Sequence, residues 1–386
     1  MLPEDWKKHK LGEIADITSS KRIFLSDYVD KGIPFYRSKE IIEKANGGEI
    51  SVELFITNER YNAIKQKFGS PVNGDLLIAA VGERAGIPYC VKNDGDFYFK
   101  DGNLIWLRYF NKATHSKFLY YYLRTKTCQS ALESTMIGSA QKALTIIGLK
   151  NLEVSLPPIY AQTRIASILS SLDNKIELNL QMNKTLEAIA QAIFKEWFVD
   201  FRFPGFDGEL VDGLPKDWRR GNYSDLAIIE TGKGLKREEY ISDGQYSVIG
   251  ANGVIGNTNK YLYDDKLILT GRVGTLGQIK ISMGKCWISD NVLISKPNQY
   301  FFYTYSVLKS INLTALNRGS TQPLITQTDL KNQPVIMPDN CILASFEDHV
   351  ADLYFKIYLN NNQNQTLTQI RDNLLPKLMT GKIRVF

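Results

Sequence analysis

The chain has 386 residues, 44% of them hydrophobic, with 28 glycines, 13 prolines and a formal net charge of +6. That is too long for one typical domain, so two or more are expected. No apolar run reaches the ~18 residues of a membrane span, and Met1-Leu2-Pro3-Glu4-Asp5-Trp6-Lys7 lacks the regions of a signal peptide, which predicts a protein with no membrane association and a cytoplasmic location. Cys90, Cys128, Cys286 and Cys341 form no C-x-x-C pair and the three histidines are far apart, which argues against a disulfide framework or a zinc site and fits a reducing compartment.

Charge is unevenly distributed. Residues 1 to 157 carry 22 basic and 18 acidic side chains, and 214 to 338 carry 15 and 10. The intervening 158 to 203 and the closing 339 to 386 are neutral, and 204 to 213 holds three acids with no base. Two lobes facing a polyanion on neutral connectors would give this distribution, as would a soluble protein with uneven surface charge.

In chain order, Leu2-Pro3-Glu4-Asp5-Trp6-Lys7-Lys8 opens the first lobe and returns at an offset of 212 as Leu214-Pro215-Lys216-Asp217-Trp218-Arg219-Arg220. Short apolar runs, Leu76 to Val81 and Leu104 to Leu107, read as strands, and a helix is predicted around Ser116 to Cys128. Gly138-Ser139-Ala140-Gln141 and Leu149-Lys150-Asn151 then follow, and these return at an offset of 181 as Gly319-Ser320-Thr321-Gln322 and Leu330-Lys331-Asn332. The first lobe is therefore longer by 31 residues, and divergence is concentrated inside the lobes. In the second lobe Leu267 to Thr270 and Val292 to Ile294 read as strands and Phe302 to Leu313 as helix. Each lobe reads as a mixed α+β domain.

A long helix with a 3.5-residue apolar period follows each lobe. Its seam is Ile165, Leu169, Leu172, Ile176, Asn179, Asn183, Leu186, Ile189 and Ile193 in the first, and Phe346, Val350, Leu353, Ile357, Asn360, Asn364, Leu367, Ile370 and Leu374 in the second. Antiparallel pairing would bring Asn179 near Asn364 and Asn183 near Asn360, fixing register and direction. About forty residues make a helical rod of ~60 Å, read as a spacer. The first rod is broken by Phe203-Pro204-Gly205-Phe206, and Pro376 is expected to break or kink the second. The expected boundaries are 1-157, a first recognition lobe; 158-203, a helix; 204-213, a linker; 214-338, a second lobe; and 339-386, a helix with a tail. Large aromatics at the first helix end, Phe194, Trp197, Phe198 and Phe201, are either partner surface or packing against a lobe.

Several chemistries are missing. No G-x-x-x-x-G-K-[ST] loop exists, so ATP hydrolysis is not expected. Leu156-Pro157-Pro158-Ile159-Tyr160 resembles the Asn/Asp-Pro-Pro-Tyr/Phe motif of adenine methyltransferases only superficially, because Leu156 cannot accept a hydrogen bond from a base amine; the prolines read as a helix start. No catalytic residue or metal site is predicted, Asp75 with Glu83 being a weak nuclease-like coincidence.

Recognition chemistry remains. Val81-Gly82-Glu83-Arg84-Ala85-Gly86 and Thr270-Gly271-Arg272-Val273-Gly274 are Gly-flanked loops carrying arginine, a residue that clamps phosphate or reads guanine. The repeated Gly-Ser-x-Gln loops offer Ser139, Gln141 and Lys142, and Ser320, Thr321 and Gln322, for phosphate or adenine contact. Lys21, Arg22, Arg37, Lys39, Lys233, Lys236 and Arg237 are further DNA-binding candidates.

With these segments the chain resembles the specificity subunit of type I restriction-modification enzymes. The resemblance is carried by Leu2-Pro3-Glu4-Asp5-Trp6, Leu149-Lys150-Asn151-Leu152, the run from Glu187 to Phe201 (EAIAQAIFKEWFVDF), and Leu374-Leu375-Pro376-Lys377-Leu378-Met379-Thr380-Gly381. Pro158-Ile159-Tyr160-Ala161-Gln162 departs from it, since such subunits usually carry Glu before that Gln. The resemblance implies two target recognition domains related by a pseudo-twofold, each reading half of a split double-stranded DNA target, with antiparallel helices as the ruler between them. It implies a non-catalytic chain for phage defence, with no cofactor of its own. Two modification subunits would use S-adenosylmethionine to methylate adenine N6, and up to two restriction subunits would use ATP and Mg2+. The competing reading is a coiled-coil scaffold whose lobes bind protein or RNA; a methyltransferase with a degenerate motif is the third.

Overall fold

In the computed structural model, which describes residues 4–48, 50, 52–82, 84–138, 142–273, 276–319 and 323–385, the chain divides into Met1–Leu180 with Asn361–Phe386, and Gln181–Asn360. Within the first unit, the apolar run at Leu76 becomes the inner strand Leu76–Ala79 of an antiparallel sheet ordered Asp16–Thr18, Leu104–Arg108, Leu76–Ala79, Pro88–Cys90. Side chains alternate across a strand, so Leu76 and Ile78 enter a core with Leu11, Phe118 and Leu149, while Leu77 enters an aromatic one with Phe99 and Trp106. A second sheet is ordered Tyr28–Val29, Phe55–Ile56, Ile33–Tyr36, Tyr98–Phe99, its last pair parallel. Lys7–Lys10 pairs with Glu153–Leu156, the strand that leads into the first long helix.

The second unit repeats the antiparallel sheet and the terminal strand pair, while its second sheet is ordered differently. Its antiparallel sheet is ordered Ala227–Thr231, Val292–Pro297, Leu267–Gly271, Ile279–Ser282; its second sheet also holds one parallel pair, Tyr246–Gly250 with Lys285–Ile288; and Arg219–Asn222 pairs with Pro334–Met337. Two helices of the first unit, Ser38–Ala45 and Asn58–Phe68, of 8 and 11 residues, have no counterpart there. At that point the second unit turns straight back as Gly253–Thr258. Most of the extra length of the first lobe is thus a local insertion beside an unchanged sheet. The helix expected around Ser116 is two, Ser116–Leu123 and Lys126–Ser134, because the Thr125 hydroxyl caps the second by accepting from Cys128 N. Its counterpart is Phe301–Ser310, followed by the short 3-10 turn Leu313–Leu316.

Both long helices, Ile159–Phe198 and Asn340–Met379, are 40 residues and give one half to each unit. The first begins directly after Pro158, where a missing N–H costs nothing. Inside each unit the halves pair antiparallel. In the first, Ile165 and Leu169 share a core with Leu378 and Met379, and Arg371 Nη1 donates to Asp173 Oδ1 at 2.8 Å. In the second, Phe194, Trp197 and Phe198 pack with Phe346 and Val350. Those aromatics are therefore core, and Phe201 sits edge-on to Trp218 at 5.6 Å.

Two expectations are corrected. Ile189 and Ile370, matched slots of the expected seam, are 44% and 43% exposed; contact passes to the next residues, buried Ala190 and the ion-paired Arg371. A 3.6-residue helix drifts against a strict 3.5-residue pattern, and the drift moves the contact stripe one position in both helices. Pro376 does not break the second helix, which runs on to Met379. The proline falls in the last turn, where it removes a single backbone bond, and buried Leu378 and Met379 hold that turn against the core.

The lobes are also tied to the helices by polar caps. Gln162 Oε1 accepts from His115 N at 2.9 Å, ahead of Ser116–Leu123. Glu347 Oε1 accepts from Tyr303 N at 2.8 Å, in the first turn of Phe301–Ser310. Burial pushes the Glu347 carboxyl above its ordinary value.

Candidate nucleic-acid interface

The apolar strand of each sheet delivers a Gly-flanked loop. In the first unit, Leu76–Ala79 runs out to Gly82, whose φ of +93° is a conformation glycine adopts without strain. Val81 bridges Ala143, Leu144 N donates to Ala80 O at 2.7 Å, and exposed Arg84 therefore lies on a loop adjoining the segment of exposed Lys142. The Gln129 side chain ties the loop down, its Nε2 donating to Gly86 O at 3.0 Å.

In the second unit Val273 bridges Leu324 and Ile325 N donates to Arg272 O at 2.9 Å. Asn317 Oδ1 accepts from Gly319 N and Leu324 N, both at 2.9 Å, and Arg318 pairs with Asp329. Two loops that are far apart in sequence thus become neighbours through matched backbone contacts in each unit, with Arg272 standing where the first unit has Ala80. A capped helix follows each: Thr145 accepts from Gly148 N, and Thr326 from Asp329 N. Ser139, Gln141, Ser320, Thr321, Gln322 and Glu83 lie outside the described residues.

The other candidates divide by their partners. Arg37 is held by Glu40 and Glu53, each at 2.6 Å, and Lys39 reaches Glu53 at 3.4 Å, so the Arg37 guanidinium is already occupied by carboxylates. Lys21 Nζ lies 4.6 Å from the centroid of the Phe68 ring, and Arg22 lies 5.8 Å from that of Phe24. Lys233, Lys236 and Arg237 are exposed beside the strand Ala227–Thr231, and the Lys233 carbonyl accepts from Trp287 Nε1 at 2.8 Å.

Sequence reasoning missed a cleft of about 410 Å3 in the first unit, where Lys21 is joined by Lys67, Phe68, Arg108 and Tyr109. It is assembled from a loop, a helix end and a strand end distant in sequence, so no local pattern announces it.

In the helix pair, Asn179 Nδ2 donates to Asn364 Oδ1 and to Gln363 Oε1, both at 2.8 Å, within the first unit. Asn360 Nδ2 donates to Asn183 Oδ1 at 2.8 Å within the second. Asp75 is buried, accepts from Trp106 Nε1 at 2.8 Å and from Val72 N at 3.0 Å, and is raised in pKa by burial, which makes it part of the fold. Leu156 is a buried strand residue. Among the described residues no group of three His, Cys, Asp or Glu could hold a metal, and no helix is long and apolar enough to cross a membrane.

Over residues 3–188 and 215–369 the sequence matches the family described as the type I restriction modification DNA specificity domain. The chain belongs to this family. The two matched stretches fall one in each half, so the DNA specificity domain is present twice, in accord with the repeated sheets. Among relatives in the same family, the MjaIX specificity subunit of Methanocaldococcus jannaschii is 27% identical, covering 100% of this chain and 95% of its own length. The HindI specificity subunit of Haemophilus influenzae is 25% identical, with 98% and 100% covered. The crystal structure of the S subunit of a type-I restriction-modification system from M. genitalium has the same fold, with a TM-score of 0.64 at 17% identity, covering 97% of this chain and 96% of that one.

Proposed function

We propose that this chain is the non-catalytic, cytoplasmic DNA-recognition subunit of a type I restriction-modification complex, reading an asymmetric bipartite duplex target with one half assigned to each lobe. Residues 1-157 and 214-338 act as the target recognition domains, 158-203 and 339-386 as spacer helices, and 204-213 as the linker. Two modification subunits bind S-adenosylmethionine and methylate adenine N6, and up to two restriction subunits use ATP and Mg2+.

The observation that carries this reading is the pairing of an arginine-bearing Gly-flanked loop with the segment at Ala143–Leu144 in the first unit and at Leu324–Ile325 in the second, alongside side chains that differ between them. A shared frame suits a shared duplex backbone, and the differing side chains suit two different base sequences. Arg84, Lys142 and Arg272, with the undescribed Ser139, Gln141, Ser320, Thr321 and Gln322, are assigned to the frame. Lys21, Arg22, Lys233, Lys236 and Arg237 are assigned to lobe-specific contacts, with Arg37 and Lys39 held in reserve behind their carboxylates. Asn179, Asn183, Asn360 and Asn364 set the helix register.

The test is a salt titration of the purified full chain on duplex DNA. Six or more phosphate contacts give a slope of log affinity against log salt steeper than about −5. A slope near zero, or tighter binding to single-stranded RNA of the same length, would overturn the reading in favour of a scaffold for protein or RNA.

A further inference from the structure

The cleft of the first unit holds an unusual combination of charge, exposure and backbone conformation. Lys21 Nζ sits 4.6 Å and Lys67 Nζ 5.4 Å from the centroid of the Phe68 ring, and among the described residues neither ammonium has a carboxylate within ion-pair distance. Their neighbours are neutralised: Arg108 donates to Asp16 at 2.8 Å and Lys65 lies 3.1 Å from Asp96. Two uncompensated like charges gathered on one ring are stabilised by an incoming anion.

At the rim stands Tyr109, 73% exposed, with a φ of +49°. A non-glycine residue in the left-handed region is strained, and so exposed a ring recovers little of that cost by burial. The Arg108 guanidinium lies 4.7 Å from the Tyr109 ring and 4.4 Å from that of Trp106.

This feature belongs to the first unit alone. Asp16 pairs with Arg108 in the first sheet and Ile228 with Lys296 in the second, 212 positions on for the first member of each pair, as in the opening repeat. Asn111 N donates to Ile14 O and Asn298 N to Leu226 O, again 212 positions on for the acceptor, so the first unit carries Tyr109 and Phe110 where the second has the single residue Pro297, whose ring excludes a positive φ.

We propose that the cleft is a DNA contact specific to the half-site of the first unit, with Lys21 and Lys67 on successive phosphates and the Tyr109 ring laid against the adjoining sugar and base. The assignment rests on the duplex-reading function above. It explains why a strained, exposed aromatic persists on a two-residue stretch that the sister unit shortens to one proline, and it makes the cleft a positioning element of the first lobe.

Full chain carrying Lys21→Ala with Lys67→Ala is titrated with salt on the same duplex as the unaltered chain. Two lost phosphate contacts reduce the slope by about 1.8. Tyr109→Gly relieves the backbone, so its thermal midpoint is expected to be unchanged or raised while duplex affinity falls about fivefold or more, and Tyr109→Phe restores affinity. An unaltered slope in the lysine variant, or a Tyr109→Gly chain that loses stability and keeps its affinity, overturns the proposal while the duplex-reading function stands. If the unaltered chain shows no salt-dependent duplex binding, both fall together.

Discussion

Exchanging residues 214–338 for the matching segment of a relative is expected to change one half of the methylated sequence and leave the other as it was. Most of the segment's strand pairing is internal. Its outer strands Arg219–Asn222 and Pro334–Met337 pair with each other, and both four-stranded arrangements of the second unit lie between them. From outside it meets the strand Leu210–Val211, which pairs with its Leu214–Pro215, the Phe203 ring stacked on Trp218, and helix side chains, where Phe194, Trp197, Phe198 and Phe346 pack against Trp218, Phe302 and Tyr303 of the segment. A donor that keeps large apolar residues at those three positions retains the core, whereas one that does not loses several kcal/mol, about 3 to 5 for each aromatic truncated to alanine. The first unit shares none of the exchanged residues, so the contacts inside it are unchanged. Methylation mapping in cells that also express the modification partner reads the outcome, and alteration of both halves would argue against modular reading.

The second large effect is at the other end of the chain. Leu378 and Met379 are 1% and 3% exposed, and they complete the core of the first unit around Ile165, Leu169 and Phe118 although some two hundred residues separate them in sequence. Leu378→Ala should cost about 2 to 5 kcal/mol, as large-to-small changes in a packed core do. In a body of this size that lowers a thermal midpoint by roughly 4 to 20 °C. The loss should appear in the unfolding of the first unit and leave that of the second in place, because the second unit takes no residue after Asn360. Ile383→Ala, at a position 38% exposed, is the control and should change little. Calorimetry checks this, and a uniform drop of both units would show that the division of the helices between them is wrong.

Much of the fold was legible because its determinants are local or repeated. The apolar runs at Leu76, Leu104, Leu267 and Val292 became strands, and the offsets of 212 and 181 predicted two lobes built on one plan. The polar break in both seams marked where the helices would meet, since amides facing each other are far less costly than amides facing leucine, while their antiparallel sense came with the family resemblance. The seam register was less legible. Ile189 and Ile370 fit a 3.5-residue count, but a straight helix turns through 3.6 residues and carries them out of the contact. Pro376 misled because proline is judged by its position within a helix, and a last turn tolerates it.

The candidate interface was half visible. Arginine beside glycine is a compact pattern, yet what each such loop lies against appears only when Val81 meets Ala143 and Val273 meets Leu324. Arg37 stood among the DNA-binding candidates because the acidic side chains that occupy it, Glu40 and Glu53, are brought in by folding. Tyr109 carried no signal at all, its interest lying in a backbone angle.

The claim on which the account depends is that the two lobes read two separated stretches of one duplex, and mapping methylated adenines in cells expressing the unaltered chain with its modification partner tests it most directly. The account predicts one motif made of two short, different, specified stretches with a gap of fixed length and free sequence between them. A single continuous motif, two stretches at variable spacing, or a pattern no different from cells lacking the chain would contradict it.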